Sequence, residues 1–208
     1  MLKSIFLPIC AAMIATMISC GGKTHAPALK SDSTEISFSN GDSVETGYAG
    51  SECTDSILDF IKPGEDPQHY NIIQARKHGA IIGNFDTGDQ VAIVLSEDKK
   101  RVVRAIDLSS LIGRWLTGDS TGDSAATGFT LGEDGYAGTI TTKPERLRYK
   151  SWDIKNAKLV LTKCDAMLAH PVLYYDTFNI VSLEQDTLFL RPEGKWTRTK
   201  YVKSTIDK

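Results

Sequence analysis

From Ser56 to Val202 the apolar residues of this chain come in short runs, each closed within a few residues by Gly, Pro, Asn or Asp. Such runs, rich in β-branched and aromatic side chains, suit strands, and they are broken too often for a packed helix of several turns. The first of them are Ser56–Ile61, His69–Arg76, Ala80–Ile82, Gln90–Leu95 and Arg101–Ile106. Pro63-Gly64-Glu65-Asp66-Pro67 and Asp86-Thr87-Gly88-Asp89 supply breaks, where glycine takes the positive φ that tight turns demand. No amphipathic helix stands out; Asp165 to His170 has room for one turn.

Eight more runs follow: Leu111–Trp115, Gly128–Leu131, Tyr136–Thr141, Tyr149–Lys155, Lys158–Cys164, Val172–Ile180, Thr187–Arg191 and Lys195–Val202. Eight consecutive strands favour an up-and-down barrel, because about eight is the number that closes around a small interior. Gly132-Glu133-Asp134-Gly135 predicts a tight hairpin with Gly135 left-handed, and Lys155-Asn156-Ala157-Lys158 predicts a second. Alternation predicts inward faces: Phe129 with Leu131, Trp152 with Ile154, Leu159 with Leu161, Phe178 with Ile180, Leu188 with Leu190. The expected fold class is all-β, with a small, partly open OB- or SH3-like module over 51–108 and an eight-stranded up-and-down barrel over 109–203.

Upstream the texture changes. Residues 20–50 are rich in Gly, Ser, Thr and Asp, with little apolar pattern beyond Ile36 and Phe38. A stretch with so little surface to bury is expected to be a flexible tether. Before it, Lys3 precedes an uncharged, mostly apolar run of fourteen residues, Ile5 to Ile18. That falls short of the about 20 residues of a spanning helix and fits a signal-peptide core, so residues 1–19 are expected to be a leader. Loss of Lys3 with it would take the net charge from −2 to −3. Acidic and basic residues are interspersed along the sequence, so nothing in it points to a nucleic-acid partner.

The leader ends Met17-Ile18-Ser19-Cys20-Gly21-Gly22, which resembles the lipobox of bacterial lipoproteins: a larger apolar residue at −3, a small one at −1, cysteine at +1. Met17 stands where leucine is usual. The resemblance implies cleavage before Cys20, a diacylglycerol on its sulfur with further acylation, and a membrane partner reached through that anchor. The implied location is the cell envelope, in the outer membrane of a Gram-negative bacterium. Several acyl chains hold a protein stably where one does so only marginally. Cys10 would leave with the leader, so Cys53 and Cys164 remain as thiols of the mature chain. An envelope compartment permits a disulfide between them; two separate thiols is the alternative.

Gly113-Arg114-Trp115 resembles the G-x-W that opens the first strand of lipocalins. An ordered set follows it: Gly128–Leu131, Asp134–Ala137, Thr139-Ile140, Tyr149 with Trp152, Leu159–Leu161, Asp176–Ile180 and Asp186–Leu190. Together these are similar to a bacterial family of lipocalin-like lipoproteins. The resemblance implies a lipocalin-like barrel and no particular ligand or activity. It implies structural roles for Trp115, closing the floor beneath an arginine, Arg191 or else Arg198, and for Gly113, where the backbone comes close. Tyr136, Tyr149 and Trp152 are candidates for the wall of an apolar or amphipathic ligand site, with core packing as the alternative.

Gly-Asp-Ser occurs three times, at Gly41-Asp42-Ser43, Gly118-Asp119-Ser120 and Gly122-Asp123-Ser124, and looks like the nucleophile block of a family of serine esterases. The late Asp-x-x-His partner is missing, since Asp165 and His170 are wrongly spaced, and strands do not alternate with helices. No His-Glu-x-x-His, phosphate loop or Cys-x-x-Cys is present. His25, His69, His78 and His170 are scattered without companion ligands, so neither a metal nor a cofactor is expected. The reading is a non-enzymatic envelope protein that binds a small apolar or amphipathic ligand or an envelope partner. Its alternatives are an assembly scaffold with a filled barrel and, third, the esterase.

Overall fold

The computed structural model describes residues 43–117, 126–165 and 172–204. The expected leader, Cys20 and the three Gly-Asp-Ser blocks, apart from Ser43, lie outside them, as do His25 and His170.

The first sheet holds β1 (Val44–Ala49), β2 (Ile57–Ile61), β3 (Gln68–Asn71), β4 (Ile81–Ile82), β5 (Gln90–Leu95) and β6 (Val102–Asp107), in the order β3-β2-β1-β5-β6-β4. It curls far enough for Asn71, at the end of β3, to bridge to Arg101 beside β6. Two local expectations change. Val44–Ala49, placed in the tether on composition, is a central strand paired with β2 and β5. Its inward residues are Gly47 and Ala49, kept small because a side chain at 47 would strike the Phe60 ring at 2.7 Å, and so the strand shows no apolar run. The run His69–Arg76 divides, with β3 ending at Asn71 and one helical turn, α1 (Ile73–Lys77), following. Asn71 makes the break, its side-chain oxygen accepting the Ile73 N–H at 3.1 Å, and Ile72 and Ala75 bury three apart, a helical spacing.

β5 is buried on both faces, as its unbroken Val91-Ala92-Ile93-Val94 run requires. Val91 and Ile93 pack into the first sheet's own core with Leu58, Phe60 and Ile72. Ala92 and Val94 face the other way, into a second core that also takes Ile82, Ile106, Leu108 and Leu111 and continues through the barrel. Each Val or Ile so enclosed contributes about 1.5–3 kcal/mol. Arg104 crosses between the sheets and donates to the Ile180 carbonyl at 2.6 Å; burial pulls its guanidinium down to about 10. At the joint, Asp107 is fully buried and caps α2 (Leu108–Leu111) by accepting the Ser110 N–H at 2.9 Å.

The second sheet is the eight-stranded antiparallel barrel: β7 (Gly113–Thr117), β8 (Thr127–Leu131), β9 (Ala137–Ile140), β10 (Leu147–Lys155), β11 (Lys158–Asp165), β12 (Leu173–Glu184), β13 (Thr187–Pro192) and β14 (Thr199–Lys203). β14 pairs back onto β7, giving the order β10-β11-β12-β13-β14-β7-β8-β9. The last gap, between β9 and β10, is nearly closed by a Tyr136–Ser151 bridge, by Trp152 N–H to the Gly135 carbonyl at 2.8 Å and by Tyr149 N–H to Thr139 Oγ1 at 2.7 Å. Both predicted hairpins form. Gly135 has φ +77°, while Asn156 and Ala157 both sit at positive φ, the conformation of a two-residue turn that matches strand twist.

Candidate functional site

Antiparallel register divides the barrel interior into two tiers. The lower one is closed and apolar: Trp115, Leu131, Leu159, Leu161, Leu188 and Leu190 are wholly buried. Trp115 pairs with Phe129 and Lys203 across its two neighbouring strands. Its indole N–H donates to the Leu111 carbonyl at 2.7 Å, tying the floor to α2. The Lys203 ammonium lies 5.3 Å from the ring centroid and donates to the Ser110 carbonyl at 3.1 Å. Gly113, at φ +140°, leaves room for that lysine stem, whose Cε would stand 2.6 Å from a Cβ there. Lys203 thus supplies a cation over Trp115 that sequence reasoning missed. Arg198 lies over Phe189 at 4.8 Å, and Arg191 is half-buried on β13 opposite Asn179.

Above this floor the inward positions turn polar. Tyr149 on β10 stands opposite Lys163 on β11, and Asp176 on β12 opposite Leu161. The Lys163 ammonium reaches Asp176 Oδ2 at 2.5 Å, and the Tyr149 hydroxyl donates to the same oxygen at 2.8 Å. Lys163 also lies 5.2 Å from the Tyr149 ring centroid. Phe129 packs edge-on to Tyr149 at 6.4 Å and against Tyr201 at 5.0 Å, joining the polar tier to the floor. Burial and the Asp176 carboxylate beside it raise the Tyr149 phenol well above its usual value, and burial followed by the same carboxylate raises Tyr201. Both phenols therefore stay protonated at neutral pH, and Tyr149 donates its hydrogen bond to Asp176. Lys163 and Asp176 keep 26% and 32% of their side-chain surface, so this tier communicates with solvent where the floor does not.

Of the three ligand-site candidates, Tyr149 alone enters this cluster. Trp152 is half-buried at the β9–β10 seam, its indole N–H donating to the Gly132 carbonyl at 2.9 Å. Tyr136 is on the outward side of the same seam and 52% exposed. Lys163, Asp176 and Tyr201 were missed, although the signal was present: Lys163 follows Leu161 by two and Asp176 precedes Phe178 by two, which puts charge on inward faces.

Elsewhere, His69 Nε2 stands 3.3 Å from Glu52 and 3.4 Å from Asp59. Among the described residues no group of three His, Cys, Asp or Glu side chains is placed to hold a metal ion. Cys53 and Cys164 are free thiols, and burial raises the first. A groove of about 130 Å³ between α1 and β6, lined by Gln74, Ala75, His78 and Val102 among others, is below the roughly 300 Å³ at which ligand pockets begin. No described helix is long and apolar enough to cross a membrane.

Residues 107–204, which take in α2 and all eight barrel strands, match the lipocalin-like family. A lipocalin-like protein of known crystal structure from Bacteroides thetaiotaomicron VPI-5482 is 25% identical, with 46% of this chain and 97% of that chain covered at a TM-score of 0.36. No curated protein matches.

Proposed function

We propose that the barrel is a non-catalytic binding module for a small amphipathic molecule, held in the upper tier with its polar group among Lys163, Asp176, Tyr149 and Tyr201. The observation that carries this reading is a solvent-reaching charge pair and two neutral phenols inside a barrel whose lower half is apolar and filled. The lipocalin-like match over 107–204 supports it, since small-barrel mouths are favoured ligand sites. Because the floor is packed, such a ligand has a short apolar part. The packed floor also favours the second reading, an assembly scaffold whose barrel is only structural. Native mass spectrometry of the protein purified from its host separates them. A retained small molecule that is lost in Lys163→Ala, with the fold intact, supports the carrier; an empty barrel in both supports the scaffold.

The same reading places the protein in the cell envelope as a lipoprotein anchored at Cys20, in the outer membrane of a Gram-negative bacterium. Its support is the lipobox-like Met17-Ile18-Ser19-Cys20 behind an apolar run of leader length. Metabolic labelling with palmitate should mark the wild-type chain and not Cys20→Ser; label in both would discard the anchor.

A further inference from the structure

Charges that are interspersed along the sequence are segregated by the barrel topology. At the open end emerge the β9–β10 connection and the upper part of β10, with Lys143, Arg146, Arg148 and Lys150, and the β13–β14 connection and start of β14, with Lys195, Arg198 and Lys200. All seven are exposed, against Glu145 and Glu193, the latter engaged by Lys158 at 2.6 Å. Arg146 pairs with the buried Asp165. Among the described residues of this end the seven cations therefore stand against Glu145, Glu193 and Asp165, a basic excess of four. At the opposite end the hairpins carry Glu133, Asp134, Glu184 and Asp186 against Lys155, the Lys158 ammonium reaching away from it to Glu193.

The basic end also carries three exposed aromatic side chains, while Tyr48 on β1 and Tyr136 in the β8–β9 hairpin are exposed elsewhere. Trp196, in the β13–β14 connection, is 94% exposed, and Leu173, Tyr174 and Tyr175 at the start of β12 are 51%, 45% and 60% exposed. An indole left in water forgoes the large apolar contact that this side chain normally makes. Trp and Tyr flanked by Lys and Arg form the pattern that sits at a membrane–water interface, where the ring enters the headgroup layer and the cation meets lipid phosphate.

We infer that the open end of the barrel docks on an anionic lipid surface, with Trp196 and Tyr175 entering the headgroup layer and Lys143, Lys195 and Lys200 facing the phosphates. Charge complementarity selects this occupant: a chain of net charge −2 carries a basic excess at the end where Trp196, Tyr174 and Tyr175 are exposed. The surface acts whether or not Cys20 is acylated and whether or not the barrel is filled.

Flotation of the compact unit Thr34–Lys208, which lacks the leader and Cys20, tests this with vesicles of phosphatidylglycerol and phosphatidylethanolamine and with phosphatidylcholine alone. Binding is expected only to the anionic vesicles. Lys143→Glu/Lys195→Glu/Lys200→Glu should weaken it at least about tenfold, since each basic residue near such a surface favours binding by roughly fivefold. The equal charge change Lys77→Glu/Lys99→Glu/Lys100→Glu on the first sheet should leave it within about twofold of the parent. Brominated lipid should quench tryptophan emission in the parent and not in Trp196→Phe. Circular dichroism melts establish that each variant is folded. Failure of the parent to float, equal binding to phosphatidylcholine, equal loss in both triple variants, or quenching that persists in Trp196→Phe would each overturn the proposal.

Discussion

Trp115→Ala should remove the keystone of the barrel floor. The ring is wholly buried, its N–H is bonded to the Leu111 carbonyl at 2.7 Å, and Lys203 covers its face at 5.3 Å. Truncating a buried Trp costs about 3–5 kcal/mol, and the stranded carbonyl brings the loss to the upper part of that range. Against a total of roughly 5–15 kcal/mol this is a large fraction. At about 2–4 °C per kcal/mol for a chain of this size, melting should fall by roughly 10 °C or more. Trp115→Phe keeps most of the apolar area and loses the N–H, so about 1–2 kcal/mol is expected. Lys203→Met keeps the stem and removes the charge. Its loss should be smaller still and less than additive with Trp115→Ala if ammonium and ring interact. Urea unfolding of Thr34–Lys208 followed by circular dichroism measures all of these. A Trp115→Ala protein within about 1 kcal/mol of the parent at unchanged m-value would refute the packed floor, because a ring lining an open space can go without leaving a cavity.

Gly128→Ala should cost about 1–3 kcal/mol in urea, because its Cβ would fall 1.9 Å from the Trp115 carbonyl oxygen and only backbone movement between β7 and β8 relieves that; a neutral substitution would show the strands are not so close. Burial raises the Asp107 carboxyl above its unfolded value, so its contribution is greatest below the unfolded pKa and is lost as pH rises through the folded one. Asp107→Asn should therefore gain stability relative to the parent as pH is raised from about 3.5 to 7, and parallel stability curves would exclude the effect. A chain from Asp107 to Lys208 should still melt cooperatively with β-rich circular dichroism, but at a lower temperature than Thr34–Lys208. It lacks Ile82, Ala92, Val94 and Ile106 of the shared core, and an equal melting temperature would deny that core any weight.

Much of the fold is legible because strand alternation and turn chemistry are local. Phe129 with Leu131, Leu159 with Leu161 and Leu188 with Leu190 all point inward, and Gly135 and Asn156-Ala157 turn where expected. β1 was hidden because its inward residues, Gly47 and Ala49, are small to accommodate Phe60, a residue that only tertiary pairing brings there. The end of β3 was hidden for another reason. Ile72 continues an apolar run in sequence, and only the Asn71 side chain, bonding to Ile73 N–H, marks the change from strand to helix.

The candidate site was less legible because it depends on register between strands. A bulge between Tyr149 and Ser151 lets Tyr149 and Trp152, three apart, both bond across the β9–β10 seam, and simple parity would have separated them. Lys163 and Asp176 lie thirteen residues apart and meet only because β11 and β12 pair in this register. Their presence has to be explained. A barrel that needed only to be filled would be served as well by apolar side chains at 163 and 176, since replacing a partly desolvated ion pair with packed apolar groups is commonly neutral or stabilising. Stability alone therefore does not account for a lysine and a phenol converging on one aspartate oxygen above a finished apolar floor. On the proposed reading a polar group entering from the open end does, because it would find a cation, a carboxylate acceptor and two neutral phenols already in place, with little ordering left to oppose binding.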